Sequence, residues 1–110
     1  MPTLIDVQSA GPIATVVLDR PDKLNALTKG MWQALGDAIR RLSADGELRC
    51  IVVRGAGERA FSPGNDIAEF ALERANSAQA RAYGAVMHAT LRALADCPVP
   101  LVAQIHGICV

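Results

Sequence analysis

Ser62, Pro63, Gly64, Asn65 and Asp66 are five consecutive residues that could make a backbone-donor site. A glycine lets another group approach the main chain closely. Asn and Asp are favoured helix N-caps, and "IAEF" follows as the start of a helix. The N–H groups at a helix start have no intrahelical partners. A turn of this kind can therefore hold an oxyanion or a polarised carbonyl. The plainer alternative is a turn plus an N-cap, with Asp66 bonding its own helix. On residue physics alone the plainer alternative is the stronger.

The other chemistry-bearing residues are less specific. Lys23 in "RPDKLNALT" can meet a phosphate, but a lone loop lysine is more often solvated. Asn25 is expected to bond nearby backbone, as loop asparagines tend to. "GAG" at 55–57 lacks the spacing of a dinucleotide fingerprint. His106 falls at a strand end and His88 within a helix. Neither has a carboxylate or cysteine at a recognised spacing, so packing is expected to satisfy both. Glu69 and Glu73 are i,i+4 on a helix and are expected to face water, and Asp66 to be occupied as a cap. Ser62 has no paired base, and no metal-ligand cluster is visible.

The elements that must position the turn follow from periodicity. "TLIDVQ" and "IATVVLD" predict a hairpin, Thr3–Gln8 with Ile13–Leu18. A loop around Pro21 closes at Thr28, a good N-cap. Met31, Trp32, Leu35, Ala38, Ile39 and Leu42 then recur as one helical face. "RCIVVRG" has the pattern of a buried parallel strand, with Cys50 a buried thiol. "AGERAFSPGND" is expected to be a long loop. "DIAEFALE" is expected to be a short helix, with Asp66 and Glu69 at capping-box spacing. A second helix is predicted from about Ser77 to Ala95, with Tyr83, Val86, Met87, Thr90, Leu91 and Leu94 on one face. "CPVP" ends it. "PLVAQIH" is the last strand, halted by Gly107. The order β-β-α-β-α-α-β puts the chain in the α/β class with an at least partly parallel sheet.

Composition narrows the function classes. The 110 residues suit one domain. Eleven Lys plus Arg balance eleven Asp plus Glu, so no basic field points to nucleic acid. The longest apolar runs are far too short to span a bilayer. The N-terminus has no basic start and no apolar signal core, and Cys50, Cys97 and Cys109 are scattered without CxxC spacing. Both features lead to the expectation of a reduced, cytoplasmic protein.

Three stretches, "RPDKLNALT", "AFSPGNDIAEF" and "CPVPLVAQIHG", resemble in order and spacing the N-terminal part of the crotonase family, which includes enoyl-CoA hydratases and isomerases. The resemblance covers nearly the whole chain. It implies a spiral of ββα turns, an acyl-CoA thioester as substrate, and an oxyanion hole of two backbone N–H groups that stabilises a thioester enolate. Carried over by position, it makes the Asn65 N–H the first oxyanion donor. It places the backbone of Ser62, Gly64, Asn65, Asp66 and Ile67 along the thioester and adenine-side groove, and the backbone around Lys23, Leu24 and Ala26 against the CoA arm. It implies no separate cofactor, since coenzyme A is part of the substrate. It also implies a homotrimer or hexamer for the full-length protein, while the residues themselves lead to the expectation of no metal, nucleic-acid or membrane partner.

The chain departs from the family pattern at Pro63, which stands where a small residue is usual and removes one backbone donor beside Gly64. The family's second oxyanion N–H lies in a glycine-rich loop expected immediately beyond Val110, and its proton-moving glutamates later still. Residues 1–110 are thus expected to be the N-terminal part of a crotonase-like domain, truncated before that loop and inactive alone. Two alternatives remain open at this point. One is a non-catalytic acyl-CoA- or partner-binding fragment, or gene remnant; the other is an unrelated doubly wound domain.

Overall fold

Alternation along Ile13–Leu18 sends Ala14, Val16 and Leu18 to one face of a strand, and all three are buried. In the computed structural model, which describes residues 4–110, they meet the helical stripe of Met31, Leu35, Ala38, Ile39 and Leu42 in a single core with Ile5, Leu27, Leu48 and Ile51. Burying one such aliphatic side chain contributes about 1.5–3 kcal/mol, so this face-to-face match fixes the register of the fold.

Strand β1 (Ile5–Ala10) pairs antiparallel with β2 (Ile13–Leu18), whose other side carries β3 (Cys50–Gly55) in parallel. Strand β5 (Leu101–Gln104) extends the sheet in parallel beyond β3, giving the order β1-β2-β3-β5. Helix α1 (Lys29–Ser43) lies against β1 and β2, and helix α3 (Ser77–Ala95) packs on α1. Thr28 caps α1 by accepting the Met31 N–H, and Asn76 caps α3 by accepting the Gln79 N–H. The helices approach closely at Gly36, where a Cβ would sit 2.6 Å from Thr90 Oγ1. The Thr90 hydroxyl donates to the Trp32 carbonyl at 2.6 Å.

Several elements differ from the sequence expectation. The first strand runs to Ala10 because Gly11, at φ 59°, turns the chain tightly enough for the ladder to continue to Ala10–Ile13. Thr3, expected in that strand, lies outside the described residues. A 3-10 turn occupies Pro21–Lys23. The expected long loop after β3 contains β4 (Ala60–Ser62), which pairs in parallel with β6 (Ile108–Cys109) as a second small sheet. The last expected strand stops at Gln104. Gly107 then turns the chain to deliver β6 to β4. "DIAEFALE" splits into a 3-10 turn, Ile67–Glu69, and a single helical turn, α2 (Phe70–Glu73). Cys50 is half-buried, since β3 covers fully only Ile51 and Gly55.

Candidate active site

The loop before α1 and the turn after β4 are built on each other. Leu24 and Asn25 have φ of 57° and 65°, a conformation that Asn tolerates better than most residues. Asn25 is buried, and its carboxamide is fully employed. Nδ2 donates to the carbonyls of Ala56 at 3.0 Å and Ala60 at 2.9 Å, while Oδ1 accepts the Arg20 N–H at 2.9 Å. The expectation that Asn25 bonds locally is thus only part of its role, because two of these partners lie across the fold. The buried Ser62 hydroxyl donates to the Asn25 carbonyl at 2.9 Å and accepts the Gly64 N–H at 3.1 Å. Ser62 is therefore a brace between the two loops.

Leu27 completes the join. Its N–H donates to the Gly64 carbonyl at 2.8 Å, and its carbonyl accepts the Asp66 N–H at 2.9 Å. Asn65 stands between these bonds. The Gly64–Asn65 peptide is planar and trans, so its carbonyl and N–H point in opposite directions. With the Gly64 carbonyl fixed on Leu27, the Asn65 N–H must point away from Leu27. Among the described residues it has no acceptor, whereas the flanking N–H groups of Gly64 and Asp66 are both taken. Gly64 itself has φ 100°, a conformation that L side chains adopt only with strain.

The Asn65 carboxamide is engaged as well. Oδ1 accepts the Trp32 indole N–H at 2.7 Å, and Nδ2 lies 3.8 Å from the Met87 sulfur. Gly64, Asn65 and Ser62 line a cavity of about 550 Å³ whose other walls are mostly apolar, among them Leu27, Trp32, Phe61, Leu91 and Leu101. Hydrocarbon is the occupant such walls admit.

Charge is arranged around the turn. Asp66 caps the 3-10 turn through the Ala68 N–H at 3.0 Å, and its other oxygen pairs with Arg20 at 2.9 Å. The Arg20 hydrogen bond holds the Asp66 carboxyl below the usual carboxylate range, against the opposing effect of partial burial. Arg20 also donates to the Ala26 carbonyl at 3.2 Å. Glu69 does not complete a capping box and does not simply face water. Its carboxylate accepts the Lys29 N–H at 2.7 Å, so it caps α1 from across the site. Glu73 lies 3.7 Å from the Lys29 ammonium.

The remaining predicted positions divide. Lys23 is exposed, Leu24 half-buried, Ala26 buried and Ile67 exposed. The N–H groups of Lys23, Leu24 and Ala26 are all consumed within the loop, by the carbonyls of Arg20, Pro21 and Lys23. His106 Nε2 is 2.9 Å from the Gly57 carbonyl, while His88 is exposed on α3 rather than packed. Tyr83 is buried, its hydroxyl has no partner among the described residues, and burial pushes its pKa up. Among the described residues no group of three or more His, Cys, Asp or Glu could hold a metal, and no helix is long and apolar enough to cross a membrane.

Sequence reasoning missed Arg20, Leu27, Trp32 and Met87 as neighbours of the turn. Only Trp32 carried a signal, since an indole N–H on a core-facing helix stripe needs an acceptor.

The fold has close counterparts among solved structures, and the sequence has relatives. An enoyl-CoA hydratase/carnithine racemase from Magnetospirillum magneticum superposes with a TM-score of 0.92 at 45% identity, over 97% of this chain and 40% of that one. A short-chain-enoyl-CoA hydratase from Clostridium acetobutylicum is 29% identical over 92% of this chain and 38% of its own length. A mitochondrial Delta(3,5)-Delta(2,4)-dienoyl-CoA isomerase from Mus musculus is 31% identical over 86% of this chain and 32% of its own length. The chain thus spans well under half the length of these relatives. The family model for enoyl-CoA hydratase/isomerase matches residues 13–110. With nearly the whole chain matched in sequence and in fold, it belongs to the enoyl-CoA hydratase/isomerase (crotonase) family.

Proposed function

We propose that the chain is the N-terminal part of an enzyme acting on acyl-CoA thioesters, in which the Asn65 N–H is the first of two backbone donors to a thioester oxygen. The observation that carries this reading is the Asn65 amide. Among the described residues it has no acceptor while both neighbours are bonded, its direction is set by the Leu27–Gly64 bond, and Asn65 belongs to the wall of an apolar cavity. A donor held this way needs no reorganisation when negative charge develops on the thioester oxygen, and one such donor is worth about 3 kcal/mol of transition-state stabilisation.

The chemistry follows from that polarisation. Drawing electron density onto the thioester oxygen makes the β-carbon of a 2-enoyl thioester electrophilic. Water adds its oxygen there and gives up one proton to a base, the enolate that forms is stabilised by the same donors, and a proton is delivered to the α-carbon. The CoA arm runs past Lys23, Leu24 and Ala26, with the exposed Lys23 ammonium available to a phosphate. Coenzyme A enters as part of the substrate, and no further cofactor is called for. In this reading the complete protein is a cytoplasmic homotrimer or hexamer of fatty acid metabolism.

Among the described residues, the acidic groups around the turn are not free for proton transfer. Asp66 is paired with Arg20, Glu69 caps α1 and Glu73 lies against Lys29. None is placed as a free acid or base beside Asn65. The same observation favours a second reading, in which the chain binds an acyl-CoA without turning it over.

Calorimetric titration of the chain with hexanoyl-CoA, free coenzyme A and hexanoate tests the reading. Saturable binding of the thioester, tighter than either part alone, is expected. Equal or absent binding of all three would defeat it. Loss of enoyl-thioester absorbance from a short 2-enoyl-CoA is expected to match the buffer blank. Enzyme-dependent loss would place the proton-moving groups within these residues.

A further inference from the structure

Asn65 is tied to both helices through its side chain. The acceptor end of its carboxamide sits on the Trp32 indole N–H of α1, and the donor end faces the Met87 sulfur of α3. The 2.7 Å indole bond is at the short end of the range for N–H···O. It is part-buried, where competition from water is reduced. Leu27 holds the two peptides that flank Asn65, through the Gly64 carbonyl and the Asp66 N–H, but neither bond reaches α1 or the Asn65 side chain. The indole bond adds that third point, tying the side chain, and with it the turn, to α1. The turn is therefore held on its backbone side by Leu27 and on its side-chain side by Trp32.

We infer that Trp32 is a positioning residue, whose indole N–H locks the Asn65 carboxamide so that the Asn65 backbone N–H is preorganised toward a ligand carbonyl. The inference rests on the reading of Asn65 as an oxyanion donor. Its physical basis is the steep dependence of donor strength on placement, which a side chain locked by its own hydrogen bond secures. Trp32 also belongs to the cavity wall, so its bulk and its N–H have separable roles. Bulk contacts hydrocarbon, and the N–H acts only through Asn65.

A pair of ligands separates these roles in the 110-residue chain. Hexanoyl-CoA carries the thioester carbonyl, and the thioether hexyl-CoA lacks it. Trp32→Phe keeps an aromatic wall and removes the indole N–H. The expected result is that Trp32→Phe weakens hexanoyl-CoA binding by roughly three- to tenfold, as for the loss of one hydrogen bond, and leaves hexyl-CoA within about twofold. The double variant Trp32→Phe/Asn65→Ala is expected to bind hexanoyl-CoA no more weakly than Asn65→Ala, because both substitutions cut the same link. Equal weakening of both ligands would assign Trp32 to the wall alone, and no weakening of either would remove it from the site. Either result overturns the inference. A wild-type chain that does not distinguish the two ligands defeats the oxyanion reading itself, and the inference with it. A wild-type preference that survives Trp32→Phe defeats only the inference.

Discussion

The Leu27 N–H reaches the Gly64 carbonyl at 2.8 Å, and through the rigid peptide plane this bond sets the direction of the Asn65 N–H, 38 positions further along the chain. The geometry depends on Gly64 at φ 100°. Space is not the obstacle there, since an added Cβ would meet nothing closer than 3.8 Å. The backbone conformation is. Gly64→Ala is therefore expected to destabilise the chain by about 1–3 kcal/mol, measured as a lowered urea midpoint at unchanged m-value. An unchanged midpoint would mean that the turn relaxes at no cost.

Asn25 ties its own loop, at Arg20, to the segment 56–60, which is 31 to 35 positions further along the chain. Asn25→Ala leaves the Ala56 and Ala60 carbonyls without this donor and the Arg20 N–H without its acceptor. A loss of about 3 kcal/mol or more is expected. Asn25→Asp is expected to be no better, because a carboxylate cannot donate to the two carbonyls. Chemical denaturation of both variants checks this, and a loss under about 1 kcal/mol in either would contradict the assignment.

Tyr83 gives the opposite sign. Its buried hydroxyl has no partner among the described residues, so removing it relieves a desolvation cost. Tyr83→Phe is expected to leave stability unchanged or to raise it by about 1 kcal/mol, with the edge-to-face contact to Phe70 retained. Clear destabilisation would show that the hydroxyl is bonded in solution.

The Arg20–Asp66 pair makes stability depend on pH. Because the folded-state pKa of Asp66 lies below its unfolded value, its contribution is fully present above the unfolded value near 4 and is lost as pH falls through the lower folded value. The side chains are only 17% and 18% exposed, and the cost of desolvating them offsets part of their attraction, leaving a contribution of about 1 kcal/mol. The stability difference between wild type and Asp66→Asn is expected to be constant from pH 5 to 7 and to shrink below about pH 4. A difference that persists unchanged to pH 2 would place its origin elsewhere.

Most of the fold was legible where periodicity is long. The stripe from Met31 to Leu42 and the span Ser77–Ala95 could hardly be read as anything but helices, and β2 and β3 carry enough β-branched residues to declare themselves. Ala60–Ser62 and Ile108–Cys109 did not, because strands of three and two residues carry no period and exist only by pairing with each other. The turn at Gly64 and Asn65 was visible from turn chemistry alone. Its supports were not, since the turn is held by Leu27, Trp32 and Met87, residues that look like ordinary core from their own neighbourhoods. Glu69 shows the same limit. Its spacing from Asp66 suggested a local capping box, yet the Lys29 N–H, 40 residues away, is the donor it meets.

The central proposal is that the Asn65 N–H donates to a thioester oxygen. Its most direct test is the backbone amide resonance of Asn65 in a ¹⁵N-labelled chain, followed while hexanoyl-CoA or the thioether hexyl-CoA is added. A new hydrogen bond to the carbonyl is expected to move the Asn65 amide proton downfield with the thioester and not with the thioether, while the amides of Gly64 and Asp66, already bonded to Ser62 and Leu27, move far less. An Asn65 amide that does not move at saturating thioester, or that moves equally with both ligands, would contradict the account.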